Sequence, residues 1–154
     1  MALYSFDTSS ILNGRRDLLP PTVFSTLWAN IETMVDNGTV RAVDIVRDEL
    51  GKRDDDACAW ARQRSGLFVP LETDIQQATS QVLHSHPKLM GIGGGRNGAD
   101  PFVIGLAIAR LGIVVTEETL SGRLDKPRIP DVCNALGVPW LNLVGFVTRQ
   151  GWRF

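Results

Sequence analysis

The chain has 154 residues, enough for one ordinary domain to bury a core without disulfide or structural-metal staples. Its 16 basic and 17 acidic residues leave a formal net charge of −1, which excludes a global basic footprint for nucleic acid and a polybasic membrane anchor. The amino terminus lacks a basic stretch followed by a long apolar one, no apolar run approaches the roughly 18 residues of a membrane span, and Cys58 and Cys133 lack zinc-ligand spacing. The expectation is a soluble cytoplasmic protein, one domain over residues 1–154, with reduced core thiols.

Residues 2–6 read as a buried strand, which Asp7, Thr8, Ser9 and Ser10 break with helix-capping chemistry. After a turn-like patch ending in Pro20 and Pro21, Val23, Leu27, Ile31 and Met34 recur at helical spacing until Asn37 and Gly38 stop the helix. The β-branched run 39–43 suits a second strand, followed by a short helix carrying Ile45, Val46, Glu49 and Leu50. Past the charged bend GKRDDD, residues 57–64 suit a helix, and residues 68–71 are too short to assign. Ile75, Ala78, Val82 and Leu83 mark a helix ending before Pro87, and 88–98 is a glycine-rich loop. From Asp100 a helix apolar on nearly every side runs to Gly112, as a central helix would. Residues 113–116 form a third strand, 131–136 a small helix and 140–144 a last strand. This alternation predicts an α/β protein: a three-layer α/β/α sandwich around a central, mostly parallel sheet.

Acidic residues close or open these apolar runs: Asp7 follows LYSF, Glu49 sits in VRAVDIVRDEL, Asp100 opens ADPFVIGLAIARLG, and Glu117 and Glu118 follow GIVVT. In an open α/β sheet the loops at the carboxyl ends of the strands converge on one crevice, so these distant acids can meet. Crowded carboxylates repel unless a divalent cation sits among them. Each acid also has an ordinary reading: Asp7 as a helix cap, Asp100 before Pro101 as a helix start, Glu49 as a solvated helix residue, and Glu117 and Glu118 as exposed loop residues.

On these residues the chain resembles the PIN-domain ribonucleases of the VapC-like toxin kind, along nearly its whole length. YSFDTSSIL is similar to the family's first strand ending in Asp, with a small polar residue, Ser9, two positions on. VRAVDIVRDEL resembles the second block with Glu49 as its acid, and ADPFVIGLAIARLGIVVTEE the third, with Asp100 heading a helix and Thr116, Glu117 and Glu118 filling a Thr, any residue, acid motif. The family often has Asp where this chain has Glu118, and either glutamate could be the fourth acid.

The resemblance implies a metal-dependent endoribonuclease acting with Mg²⁺ or Mn²⁺, with Asp7, Asp100, Glu49 and Glu118 as catalytic metal ligands. Ser9, Thr116 and Glu117 would support them, and the products would be a 5′-phosphate and a 3′-hydroxyl. It further implies an RNA substrate, a protein antitoxin, homodimerisation and no membrane partner; the alternative is a non-catalytic PIN-like module that binds RNA or protein. Among rival signals, Gly93, Gly95 and Gly98 satisfy GxGxxG, but a weak strand precedes them and Asp100 and Pro101 stand where pyrophosphate needs N–H donors. An aspartyl-phosphate phosphatase wants a second Asp where Ser9 stands, and His84 and His86, two apart on a helix, face different ways.

Overall fold

A computed structural model describes residues 2–52, 55–90 and 98–154. Among them five strands, β1 (Tyr4–Phe6), β2 (Val40–Val43), β3 (Phe68–Val69), β4 (Ile113–Val115) and β5 (Trp140–Leu141), form one parallel sheet in the order β3-β2-β1-β4-β5. The helices are α1 (Thr8–Asn13), α2 (Ser25–Asp36), α3 (Asp44–Gly51), α4 (Asp56–Arg62), α5 (Thr73–Ser85), α6 (Asp100–Ala109), α7 (Ile129–Leu136) and α8 (Leu143–Gln150). The chain steps outward from β1 through β2 to β3, then returns to the other side of β1 for β4 and β5. The order therefore reverses between β1 and β4, and in open parallel sheets that reversal opens a crevice at the carboxyl ends of the strands.

Alternation along β1 shows both faces of the sheet covered. Tyr4 and Phe6 meet Phe146 of α8 edge-on, with ring centroids 4.9 and 5.1 Å apart, while Ser5, between them, donates to the carbonyl of Val103 in α6 at 2.8 Å. The expected three-layer sandwich is observed, with α6 central as its apolar composition requires. Close approach of α6 to α5 depends on Gly105, where a Cβ would lie 2.1 Å from Thr79 Oγ1.

Two expectations change at the carboxyl end. The strand expected at 140–144 stops at Leu141, because Asn142 accepts from Gly145 N at 2.7 Å and caps a helix over Leu143–Gln150. The helix expected at 131–136 starts two residues earlier, with Pro130 in its first turn. The unassigned stretch 68–71 supplies β3. Of the expected loop at 88–98, residues 88–90 belong to a 3₁₀ turn over Pro87–Met90, and 91–97, which include Gly93 and Gly95 of the GxGxxG pattern, lie outside the described residues. Among the described residues no helix is long and apolar enough to cross a membrane.

Candidate active site

Parallel register aligns Phe6 with Val115, so the next residue of each strand meets at the switch point: Thr116 Oγ1 donates to Asp7 Oδ2 at 2.6 Å, and Asp7 N–H to the Val115 carbonyl at 3.1 Å. Ser9 Oγ donates to the same carboxylate, 2.8 and 3.0 Å from its two oxygens, and accepts from Glu117 N at 3.0 Å. Ser10 N–H donates to Asp7 Oδ1 at 2.8 Å. Asp7 therefore caps α1, as its ordinary reading requires, and also faces the other acids.

The two adjacent glutamates part company. Glu118 N–H donates to Thr116 Oγ1 at 3.0 Å, and its carboxylate accepts from Ile129 N at 3.1 Å, at the start of α7. Glu117 Oε1 instead accepts from Leu143 N at 2.6 Å and serves the first turn of α8. Glu49 arrives on α3, where Thr8 Oγ1 donates to its Oε1 at 2.5 Å.

Asp100 is not the cap suggested by its place before Pro101. It is the first residue of α6, preceded by Ala99 with no side-chain cap bond, and its Oδ2 is buried without a hydrogen-bond partner among the described residues. An unmet buried carboxylate oxygen is costly, and native structures hold few of them.

Electrostatics tie the four acids together. Burial, followed by the charges of Glu118, Asp7 and Glu49, drives the Asp100 carboxyl up to about 9, so near neutrality it keeps its proton and can donate it toward Glu118. Burial raises Asp7 to about 6 against the opposing bonds from Thr116 and Ser10. Glu118 is also raised, by burial, with the Ile129 N–H and the Arg128 charge opposing. Burial beside Asp7 and Glu118 pushes the Cys133 thiol up to about 12, which keeps it a neutral part of the floor.

The result is an open acidic cup. Asp7, Glu49, Asp100 and Glu118 act on one another's charge, yet among the described residues no three His, Cys, Asp or Glu side chains are drawn together tightly enough to cage a metal ion as they stand. The oxygen-only donor set is of the kind hard divalent cations take. Sequence reasoning missed three supports. Thr8 shows only as part of a capping run, since its partner is 41 residues away. Ser10 was visible as capping chemistry, and Asp131 only as an acid three residues after Arg128, beside Pro130 at a helix start. His84 lies on α5, and His86 follows its last turn.

A protein family described as a domain of unknown function (DUF4411) matches residues 4–154. No curated protein matches the chain. Among solved structures, a chain of VapBC2 from Rickettsia felis, bound to a DNA fragment from their promoter, superposes with a TM-score of 0.57 at 14% identity, over 91% of this chain and 98% of that one. DNA-bound VapBC from Salmonella typhimurium gives 0.57 at 17% identity, over 92% and 98%. FitAcB from Neisseria gonorrhoeae gives 0.53 at 17%, over 91% and 97%. At such identities what is shared is the fold of those chains; by its match over residues 4–154 the chain itself belongs to the DUF4411 family.

Proposed function

We propose that this protein is a metal-dependent endoribonuclease, the toxin of a toxin–antitoxin pair. The observation that carries the proposal is the gathering of Asp7, Glu49 and Glu118 within range of Asp100, whose Oδ2 is buried and has no hydrogen-bond partner among the described residues. A fold that brings four acids within range of one another's charge, Asp7 and Asp100 buried and Glu49 and Glu118 half-buried, favours a cation from outside.

Mg²⁺ and Mn²⁺ fit this donor set, since such ions keep several waters and bind through one or two carboxylates plus substrate phosphate, which needs no preassembled cage. Asp7 and Asp100 would hold the ion, with Glu49 and Glu118 as further ligands directly or through water. When bound, the ion supplies a water of lowered pKa and charge stabilisation for in-line displacement at phosphorus. Thr116 and Ser9 hold the Asp7 carboxylate in place, Thr8 does the same for Glu49, and Glu117 ties the strand end to the first turn of α8. With Asp100 protonated near neutrality, loading the site releases a proton.

The likeness to VapBC and FitAcB chains supports a protein antitoxin as partner, and with it a homodimer. The open spacing of the acids favours one second reading, a non-catalytic module that binds RNA or protein. Incubation of the purified protein with RNA across a Mn²⁺ titration separates the two. A nuclease shortens the RNA, whereas a binding module shifts its mobility and leaves its length intact. Asp7→Asn and Asp100→Asn should each slow cleavage on the order of a thousandfold with the fold retained. Undiminished cleavage by both variants overturns the assignment.

A further inference from the structure

A second acid does different work beside the cup. Asp131, buried in the first turn of α7, accepts from Ser121 N and Ser121 Oγ at 2.9 Å, Gly122 N at 3.0 Å and Arg128 N at 2.9 Å. Burial opposes its charge, but these donors outweigh it and hold the carboxyl below the usual carboxylate range. One carboxylate thus gathers both ends of the loop 121–128 and fixes where it runs.

That loop delivers Arg128. The next residue, Ile129, donates its N–H to Glu118 at 3.1 Å, and the guanidinium lies near enough to favour the Glu118 charge. Arg15, Arg64, Arg110 and Arg123 each sit in an ion pair, whereas Arg128 makes none among the described residues. It is exposed, with Thr119 Oγ1 as its side-chain partner at 3.2 Å. An RNA strand nearing a cup of carboxylates is repelled, and a cation fixed at the rim with free N–H donors offsets that repulsion and orients the phosphate.

We infer that Arg128 is a phosphate contact for the substrate strand at the rim of the acidic cup, and that Asp131 is the positioning residue that sets it there. The inference rests on the nuclease reading. Arg128 binds a non-bridging phosphate oxygen through its free N–H groups, and Asp131 acts through the loop and never touches RNA.

The test is binding, measured in the cleavage-impaired Asp100→Asn background with Mg²⁺ present. Fluorescence anisotropy of a labelled, mixed-sequence single-stranded oligoribonucleotide is followed from low to moderate salt. Adding Arg128→Gln should weaken binding about tenfold and reduce the salt slope by about 0.7, the share of one single-strand phosphate contact. Arg128→Lys should recover most of the slope but not all the affinity. Arg153→Gln should change neither, since Arg153 follows Trp152, which lines a cavity with Tyr4 and Thr39 at the opposite, amino end of the strands. Asp131→Asn should lower the slope as Arg128→Gln does, and the two together should be no worse than Arg128→Gln alone. Unchanged affinity and slope in Arg128→Gln, with the parent still binding RNA, overturns the role of Arg128 and leaves the nuclease reading standing. Failure of both the Asp100→Asn parent and the unsubstituted protein to bind RNA at all overturns both.

Discussion

Two buried ionisable groups in this protein are treated in opposite ways. The Arg15 guanidinium, beneath α4, has Nε 2.6 Å and NH2 3.2 Å from the two oxygens of Asp56, and it lies 4.8 and 5.0 Å from the ring centroids of Trp28 and Trp60. Asp100, as deeply buried, has an oxygen with no partner among the described residues and three other acids acting on its charge. The same fold that supplies a fork-shaped anion and two aromatic faces to one charge supplies like charges to the other. Architectural charges are paired, since removing one partner of a buried pair is costly. Among the described residues Asp100 lacks the pairing that Arg15 has, and the contrast can be pressed experimentally.

The largest stability effect should be an unusual dependence on pH. Asp7 and Asp100 have carboxyl pKa values raised by folding, so the folded protein binds their protons more tightly than the unfolded chain does. Their contribution is fully present below the ordinary carboxylate range and is lost as pH rises, through about 6 for Asp7 and about 9 for Asp100. For Asp7 alone the loss is roughly 3 kcal/mol, and Asp100 should add to it. Asp131 works in the opposite sense, losing stability only as pH falls below the usual carboxylate range. Urea unfolding of chelator-treated protein from pH 4 to pH 9 should show stability falling, and Asp100→Asn should flatten the upper part of that fall. Stability that climbs across this window would remove the contrast with Arg15.

A divalent ion should reverse the loss. At a Mn²⁺ concentration about 100 times its dissociation constant, linkage gives about 2.7 kcal/mol of added stability, a rise of several degrees in melting temperature for a domain of this size. Asp100→Asn should abolish most of that rise, and Asp56→Asn should keep it. Equal responses from the two variants would mean that the ion binds elsewhere.

How much of this was legible beforehand differs by region. The parallel sheet and central α6 could be read, because Val103, Ile104, Leu106 and Ala107 leave no solvent face and β-branched runs recur between helices. The tail was misread where WLNLV is equally apolar as strand or helix, and Asn142 with Gly145 decides the matter through a local cap. At the cup, Asp7, Asp100 and the Thr116 motif could be found from their places after or before apolar runs. Which glutamate faces Asp100 could not be, since that depends on Ile129 and Leu143 arriving from 11 and 26 residues away. The Arg15 pair was invisible for the same reason, its partner lying 41 positions on.

The smallest effect gives the sharpest comparison because it turns on sign. Asp56→Asn removes the anion beside Arg15, but the Asp56 side chain is 63% exposed and the guanidinium keeps its place over Trp28 and Trp60. The cost should be about 1 kcal/mol or less, as for other solvent-screened pairs, and should shrink in high salt. Asp100→Asn, also a carboxylate-to-amide change, should shift the urea midpoint the other way at pH 8 without metal, because the folded protein no longer has to hold a proton that the unfolded chain releases. One substitution weakens a pair the fold completes, and the other removes the cost of keeping a buried acid protonated. If both variants unfold at lower urea than the parent, the cup is an ordinary buried network, and the case for an absent cation loses its physical basis.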